Sequence, residues 1–163
     1  MFGYTALHFV RLSMERKYME DKDSLIYNYV CPRCFHQIDK CSCDSKPYYS
    51  LWWIDINIQE VVRILNEKGY KTQYSCESHD AYDNLYLSFY YHYGFGKELP
   101  VPEGFKVKSS GKTIEHIYGK DSRARKKMTE EQFEAEKKLC LDNLLEWAKT
   151  LPEQTDKRKN FSW

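Results

Sequence analysis

"YVCPRCFHQIDKCSCDSKPYY", Tyr29 to Tyr49, holds four of the chain's six cysteines. Their spacing, Cys31-x2-Cys34-x6-Cys41-x-Cys43, admits three readings: disulfide partners, catalytic thiols, or the four corners of a metal site. Two cysteines two residues apart, with turn-forming Pro32 between them, can put both sulfurs on one ion, and the turn's amides stabilise the thiolates. The return "FHQIDK" is long enough to bring Cys41 and Cys43 to the opposite edge of a tetrahedron. Four thiolates favour Zn²⁺, and a closed four-sulfur shell leaves water nowhere to bind, so the ion is structural rather than catalytic. One structural zinc held by Cys31, Cys34, Cys41 and Cys43 is therefore expected, supplying folding energy to a loop with few core residues. The Cys41-x-Cys43 pair is tighter than the second knuckle of a zinc ribbon, and His36 is the natural substitute if either sulfur falls short.

The surrounding sequence favours metal over disulfide. The N-terminal "MFGYTALHFVRLSMERKY" has no apolar run of signal-peptide length, and no segment approaches the roughly 20 apolar residues of a membrane span. A cytosolic location is expected, where disulfides rarely persist. The 163 residues suit one domain with a real core, and 42% hydrophobic with 30% charged residues is a globular balance. A net charge of +1 argues against a general nucleic-acid coat, which draws its affinity from phosphate neutralisation. It equally argues against an acidic nucleic-acid mimic. Aromatics reach 16%, with 14 tyrosines, so many phenol rings must pack while their hydroxyls stay wet.

Periodicity gives the elements. Phe2 to Tyr18 reads as a helix, although "YTALHFVRL" also alternates like a strand. "LIYNYV" (Leu25 to Val30) reads as a strand running into the cysteines. "DINIQEVVRILNEKG" is a helix with Ile54, Ile58, Val61, Val62 and Leu65 on its apolar stripe. Asn57 and Glu60 stand at capping-box spacing, Asp55 is a rival cap, and Gly69 is the left-handed stop. Three β-like runs follow: Tyr70 to Cys76, Asn84 to Tyr93, and "GFKVKSS" leading through Gly111 to "TIEHIYG". In the second, Leu85, Leu87, Phe89 and Tyr91 share one face, and Tyr86, Ser88, Tyr90 and His92 the other. After the basic segment "KDSRARKKM" comes a long helix opened by Thr129 with Gln132. Its apolar face is Phe133, Cys140, Leu141, Leu144, Leu145 and Ala148, and Leu151-Pro152 closes it. The pattern predicts one α+β domain over 1–152: a small, mainly antiparallel sheet packed with helices, with a zinc-bound insertion at 31–43 and a loose tail at 153–163.

A second constellation lies in "GYKTQYSCESHD", where Cys76, Glu77, His79 and Asp80 share one turn. It reads as a Cys/His nucleophilic pair, as a metal or ligand site completed by His8, His92 or His116, or as a structural corner. Cys140 reads as core.

The runs "LNEKGYKT" (Leu65 to Thr72), "SCESH" (Ser75 to His79), "YLSF" (Tyr86 to Phe89), "VPEGF" (Val101 to Phe105) and "LLEWAKTLP" (Leu144 to Pro152) carry a resemblance. With the cysteine cluster, they resemble small, mostly uncharacterised zinc-binding proteins of Gram-positive bacteria and their phages. That group shows "LNxKGYxT", "SCxGH", "YIxF", "LPxGF" and "LLEWAxxLP", and the resemblance spans about two thirds of the chain. Ser78 stands where the group has glycine. A shorter similarity around Ser75-Cys76, to a tRNA-modifying wybutosine-synthesis family, covers too few residues to carry activity over. The phage setting implies a non-enzymatic protein-binding inhibitor in the bacterial cytoplasm, of the anti-CRISPR type that blocks Cas9. Contacts are then expected on Tyr86, Tyr90, Tyr91 and Tyr93, with Arg123, Arg125, Lys126 and Lys127 as a charged rim. The alternatives are a nucleic-acid-binding zinc module, in which the basic run tracks phosphates and aromatics stack bases, and an RNA-modifying enzyme using Cys76 and His79.

Overall fold

The structure, a computed structural model, describes residues 27–31, 34, 36, 37, 40–43, 52–79, 83–119 and 127–155. The helix expected over Phe2 to Tyr18, and the end of the C-terminal tail, lie outside the described residues.

Among the described residues the architecture is α+β, as the pattern predicts. Strands β1 (Tyr27–Val30) and β2 (Trp52–Asp55) pair antiparallel. Strands β3 (Thr72–Cys76), β4 (Leu85–Phe89), β5 (Lys106–Val107) and β6 (Thr113–His116) form an antiparallel sheet in the order β3-β4-β6-β5. Helix α1 (Gln59–Glu67) follows a single 3₁₀ turn at Ile56–Ile58, and helix α2 (Glu130–Thr150) closes the fold.

The alternation in β4 decides what covers the sheet. Leu85, Leu87 and Phe89 are fully buried, while Tyr86 and Ser88 between them are half-buried. The buried face packs in one core with Ile58, Val61, Val62 and Leu65 of α1 and with Phe133, Cys140, Leu144, Trp147 and Ala148 of α2. Aromatic rings fill the space at the helix ends: Phe89 and Phe95 lie 4.8 Å apart, Phe95 and Trp147 5.6 Å. Such tilted ring pairs add to plain area burial.

The entry to α1 departs from the sequence reading. Ile54 and Asp55 belong to strand β2, because "WWID" finds a strand partner in "YNYV" and aromatic and branched residues fit a pleated surface. The Asn57–Glu60 capping box does not form, since Asn57 spends both its backbone N–H and its side-chain amide on Glu77. Glu60 pairs instead with Arg63 one turn on. Gly69 takes the left-handed conformation (φ 91°) and stops the helix as expected. Buried Asn66 then ties helix to strand: its amide donates to Val62 O and Thr72 Oγ1, and its oxygen accepts from the Thr72 N–H.

Helix α2 opens on the expected capping box, with Thr129 Oγ1 accepting from the Gln132 N–H and Gln132 Oε1 from the Thr129 N–H. Its last carbonyls are held from α1: the Lys68 ammonium donates to Lys149 O and Leu151 O, a cation at the negative end of the helix dipole. Tyr70 Oη donates to Pro152 O, and the Gln154 N–H donates to Lys68 O, so the chain past Pro152 stays attached to α1 at Gln154.

Candidate metal centre

Cys31 leaves the end of β1, and its N–H donates to His36 O at 2.9 Å. Gln37 bridges back to Val30, so the chain from the first cysteine pair returns alongside the strand and delivers Cys41 and Cys43 to Cys31 and Cys34. The four sulfurs lie within 4.8 Å of one another. Cys31 Sγ is 4.0 Å from Cys43 Sγ, and Cys34 Sγ is 3.6 Å from Cys41 Sγ. Disulfide bonding requires about 2.05 Å, and all six cysteines are free thiols. A tetrahedral ion with sulfur bonds of about 2.3 Å spaces its ligands about 3.8 Å apart, which matches both distances. The Cys43 N–H donates to Cys41 Sγ at 3.4 Å, as a backbone amide does when it supports a thiolate.

The four cysteines can therefore hold one metal ion. His36 is exposed and lies outside this set, so the tight Cys41-x-Cys43 pair needs no substitute. Crowding thiols around one point with no cation opposes their ionisation. Hydrogen bonding to Cys41 leads in pushing the Cys43 thiol up to about 12, and burial raises Cys34. A divalent cation reverses that balance, because its charge deprotonates coordinating thiols.

The turn after β3 builds a second set: Asp55, Cys76 and His79 have ligand-type atoms within 4.8 Å of one another. Asp55 comes from β2, a residue that sequence spacing did not connect with "SCESHD". The buried hydrogen bond from the Glu77 N–H to Asp55 Oδ2, at 2.7 Å, holds it there. Asp55 Oδ1 lies 3.7 Å from His79 Nε2. Burial, and secondarily the Asp55 charge, pushes the Cys76 thiol up, the opposite of what an activated nucleophile needs. Of the other histidines weighed, His116 bonds Gly104 O and Glu136 Oε1 and belongs to neither set, while His8 lies outside the described residues.

The residues expected to meet a partner separate. Tyr86, Tyr90 and Tyr91 are half-buried and Lys127 is exposed, while Arg123, Arg125 and Lys126 lie outside the described residues. Tyr93 does not belong on a partner-facing surface. It is 6% exposed, its hydroxyl donates to Gly69 O and accepts the Lys71 N–H, and its ring stacks edge-on to Tyr70 at 5.0 Å. The chain turns after Phe89, so strand alternation no longer sets where Tyr93 points. Tyr74 on β3, which sequence reasoning passed over, is 63% exposed.

Compared with known proteins, the chain matches no family model, no curated protein and no solved structure. No helix among the described residues is long and apolar enough to cross a membrane.

Proposed function

We propose that the chain is a zinc-organised, non-enzymatic domain of the bacterial cytoplasm that binds a protein partner and inhibits it, with the Cas9 nuclease as the first partner to test. The observation that carries the binding reading is the outward face of the four-stranded sheet. Register places Tyr74 opposite Ser88 and Cys76 opposite Tyr86, so Tyr74, Tyr86 and Ser88 share the face away from Leu85, Leu87 and Phe89. Tyrosines of this kind offer large, stiff contact area with a hydroxyl for water or partner, and they are enriched at interface centres. The closed four-thiolate set supports a structural role for one zinc, and the raised Cys76 thiol weakens the nucleophile alternative.

A cleavage assay with Cas9, guide RNA and target DNA tests the partner. Excess zinc-loaded protein is expected to suppress cutting, and Tyr86→Ala to weaken that suppression at least tenfold while leaving the melting temperature in place. Undiminished cutting ends the Cas9 reading. Retention of DNA or RNA without any protein partner, weakening steeply with salt, would put a nucleic-acid module in its place.

A further inference from the structure

Outside the four-cysteine centre, one cluster draws three different metal-ligating side chains to a point. Asp55 ends β2, Cys76 ends β3, and His79 follows in the turn. Two main-chain hydrogen bonds fix them. The Glu77 N–H holds Asp55 Oδ2, which orients Oδ1 toward His79 Nε2 at 3.7 Å. The Ser78 N–H points back at Cys76 Sγ at 3.3 Å. That second bond exists because Ser78 adopts φ 70°, the one non-glycine residue with a left-handed backbone among the described residues. We propose that Asp55, Cys76 and His79 form a second metal site, taking a single Zn²⁺ through one oxygen, one sulfur and one nitrogen.

Zinc accepts oxygen and nitrogen at about 2.0 to 2.1 Å and sulfur at about 2.3 Å, which sets edges of about 3.3 to 3.6 Å for such a mixed set. The 3.7 Å between Asp55 Oδ1 and His79 Nε2 is a few tenths of an ångström wider than an oxygen–nitrogen edge, so a small inward shift of the partly exposed His79 ring brings both onto one ion. The amide two residues beyond the cysteine donates to its sulfur here as it does from Cys43 to Cys41 in the first centre, so both sets carry the same support for a thiolate. The ligands also have the outer partners that metal sites use. Glu77, whose amide holds Asp55, is itself fixed by both donors of Asn57 and by Lys137 at 3.2 Å. Lys137 pairs with Glu77, and the titratable neighbours of Asp55 among the described residues include Glu77, Cys76 and His79. A carboxylate 3% exposed beside a thiol is costly without a cation, and a divalent ion supplies one. The three-ligand set differs in kind from the four-thiolate centre, because it leaves a coordination position toward solvent, where the His79 side chain is 33% exposed.

This site stands apart from the protein-binding reading and is tested without it. Metal-free full-length protein is titrated with Co²⁺ and followed by absorption, with elemental analysis of the zinc-loaded protein alongside. Wild type is expected to take up two equivalents, one with the intense sulfur charge-transfer bands of four thiolates and one with a weaker, single-thiolate spectrum. His79→Ala, chosen because that side chain is partly exposed, is expected to lose only the second equivalent while its melting temperature stays near wild type. His79→Cys should restore it with stronger charge transfer. Uptake of one equivalent by wild type, or a second equivalent that persists unchanged in His79→Ala, overturns the proposal.

Discussion

Asp55 Oδ2 accepts the Glu77 N–H at 2.7 Å, a buried bond from the end of the two-stranded sheet to the residue that follows β3 of the four-stranded one. Glu77 passes the connection on: its carboxylate takes both Asn57 donors at the head of α1 and the Lys137 ammonium of α2. Main chain and side chain together make Glu77, a residue 4% exposed, the meeting point of β2, β3, the head of α1 and α2.

Removing the cation from that junction isolates a buried charge. Lys137→Met is expected to cost about 3 kcal/mol, because breaking one side of a buried pair leaves the other desolvated. Urea unfolding measures it, and a loss under about 0.5 kcal/mol would show that Asn57 alone satisfies Glu77.

Chelation tests the four-cysteine centre. An ion bound even a hundredfold above its dissociation constant stabilises the folded state by about 2.7 kcal/mol. Stripping it should therefore lower the melting temperature by several degrees, and Cys34→Ser should melt low with or without chelator. An unchanged melt would sink the structural role.

Ser78 carries a left-handed backbone at no exposure and donates its hydroxyl to Asp83 O at 3.1 Å. Ser78→Gly relieves a backbone penalty of about 1 kcal/mol and forfeits a hydrogen bond of similar worth, so its stability should stay within about 1 kcal/mol of wild type. Ser78→Val, β-branched and without a donor, should cost about 2 to 3 kcal/mol. Equal stabilities for the two variants would contradict the assigned backbone conformation.

Arg63 bridges Glu60 and Glu67 along the exposed side of α1, with contacts of 2.5 and 2.6 Å. Its hydrogen bonds hold the Glu60 carboxyl below its ordinary value of 4.5. An acid whose folded value is lowered stabilises the fold above its unfolded value and loses that share as pH falls through the folded one. Arg63→Ala should thus cost about 0.5 to 1 kcal/mol at pH 7, with the difference from wild type closing below pH ~4.5. A gap that stays constant to pH 3 would place the effect in packing instead.

Tyr93→Phe separates core from surface. It strands the Lys71 N–H and Gly69 O in a buried place and is expected to cost about 1 to 3 kcal/mol, whereas Tyr74→Phe on the exposed face should cost almost nothing. Denaturant midpoints for the two variants compare them directly.

What the sequence made legible follows from where the signal is local. Helix α2 reads directly, since Thr129, Gln132 and the Leu151-Pro152 stop all act within a turn of the residues they cap. The convergence of the four cysteines reads equally well, because their spacing lets a short loop bring all four sulfurs together. Strand β2 was hidden because "WWID" leads into an apolar helical stripe and its strand partner lies across the cysteine loop. Asp55 was invisible as a site residue for the same reason: a long-range bond to the Glu77 N–H carries it to Cys76, and no spacing rule spans that distance. The burial of Tyr93 likewise depends on a turn after Phe89 that breaks the two-residue alternation.

The connection between β1 and β2 runs through 31–51, far longer than the two-residue turns that fix how hairpin strands align. With so long a connection, sliding one strand by a residue costs the turn nothing, yet it flips every side chain to the opposite face. Val30 nevertheless pairs with Trp52 and Tyr27 with Asp55, and Cys31 follows Val30 directly. The converging sulfurs anchor the strand at that point and do the job of the missing tight turn. They select one alignment among neighbours of similar backbone bonding, and that alignment decides which side of β2 presents Asp55 to Glu77.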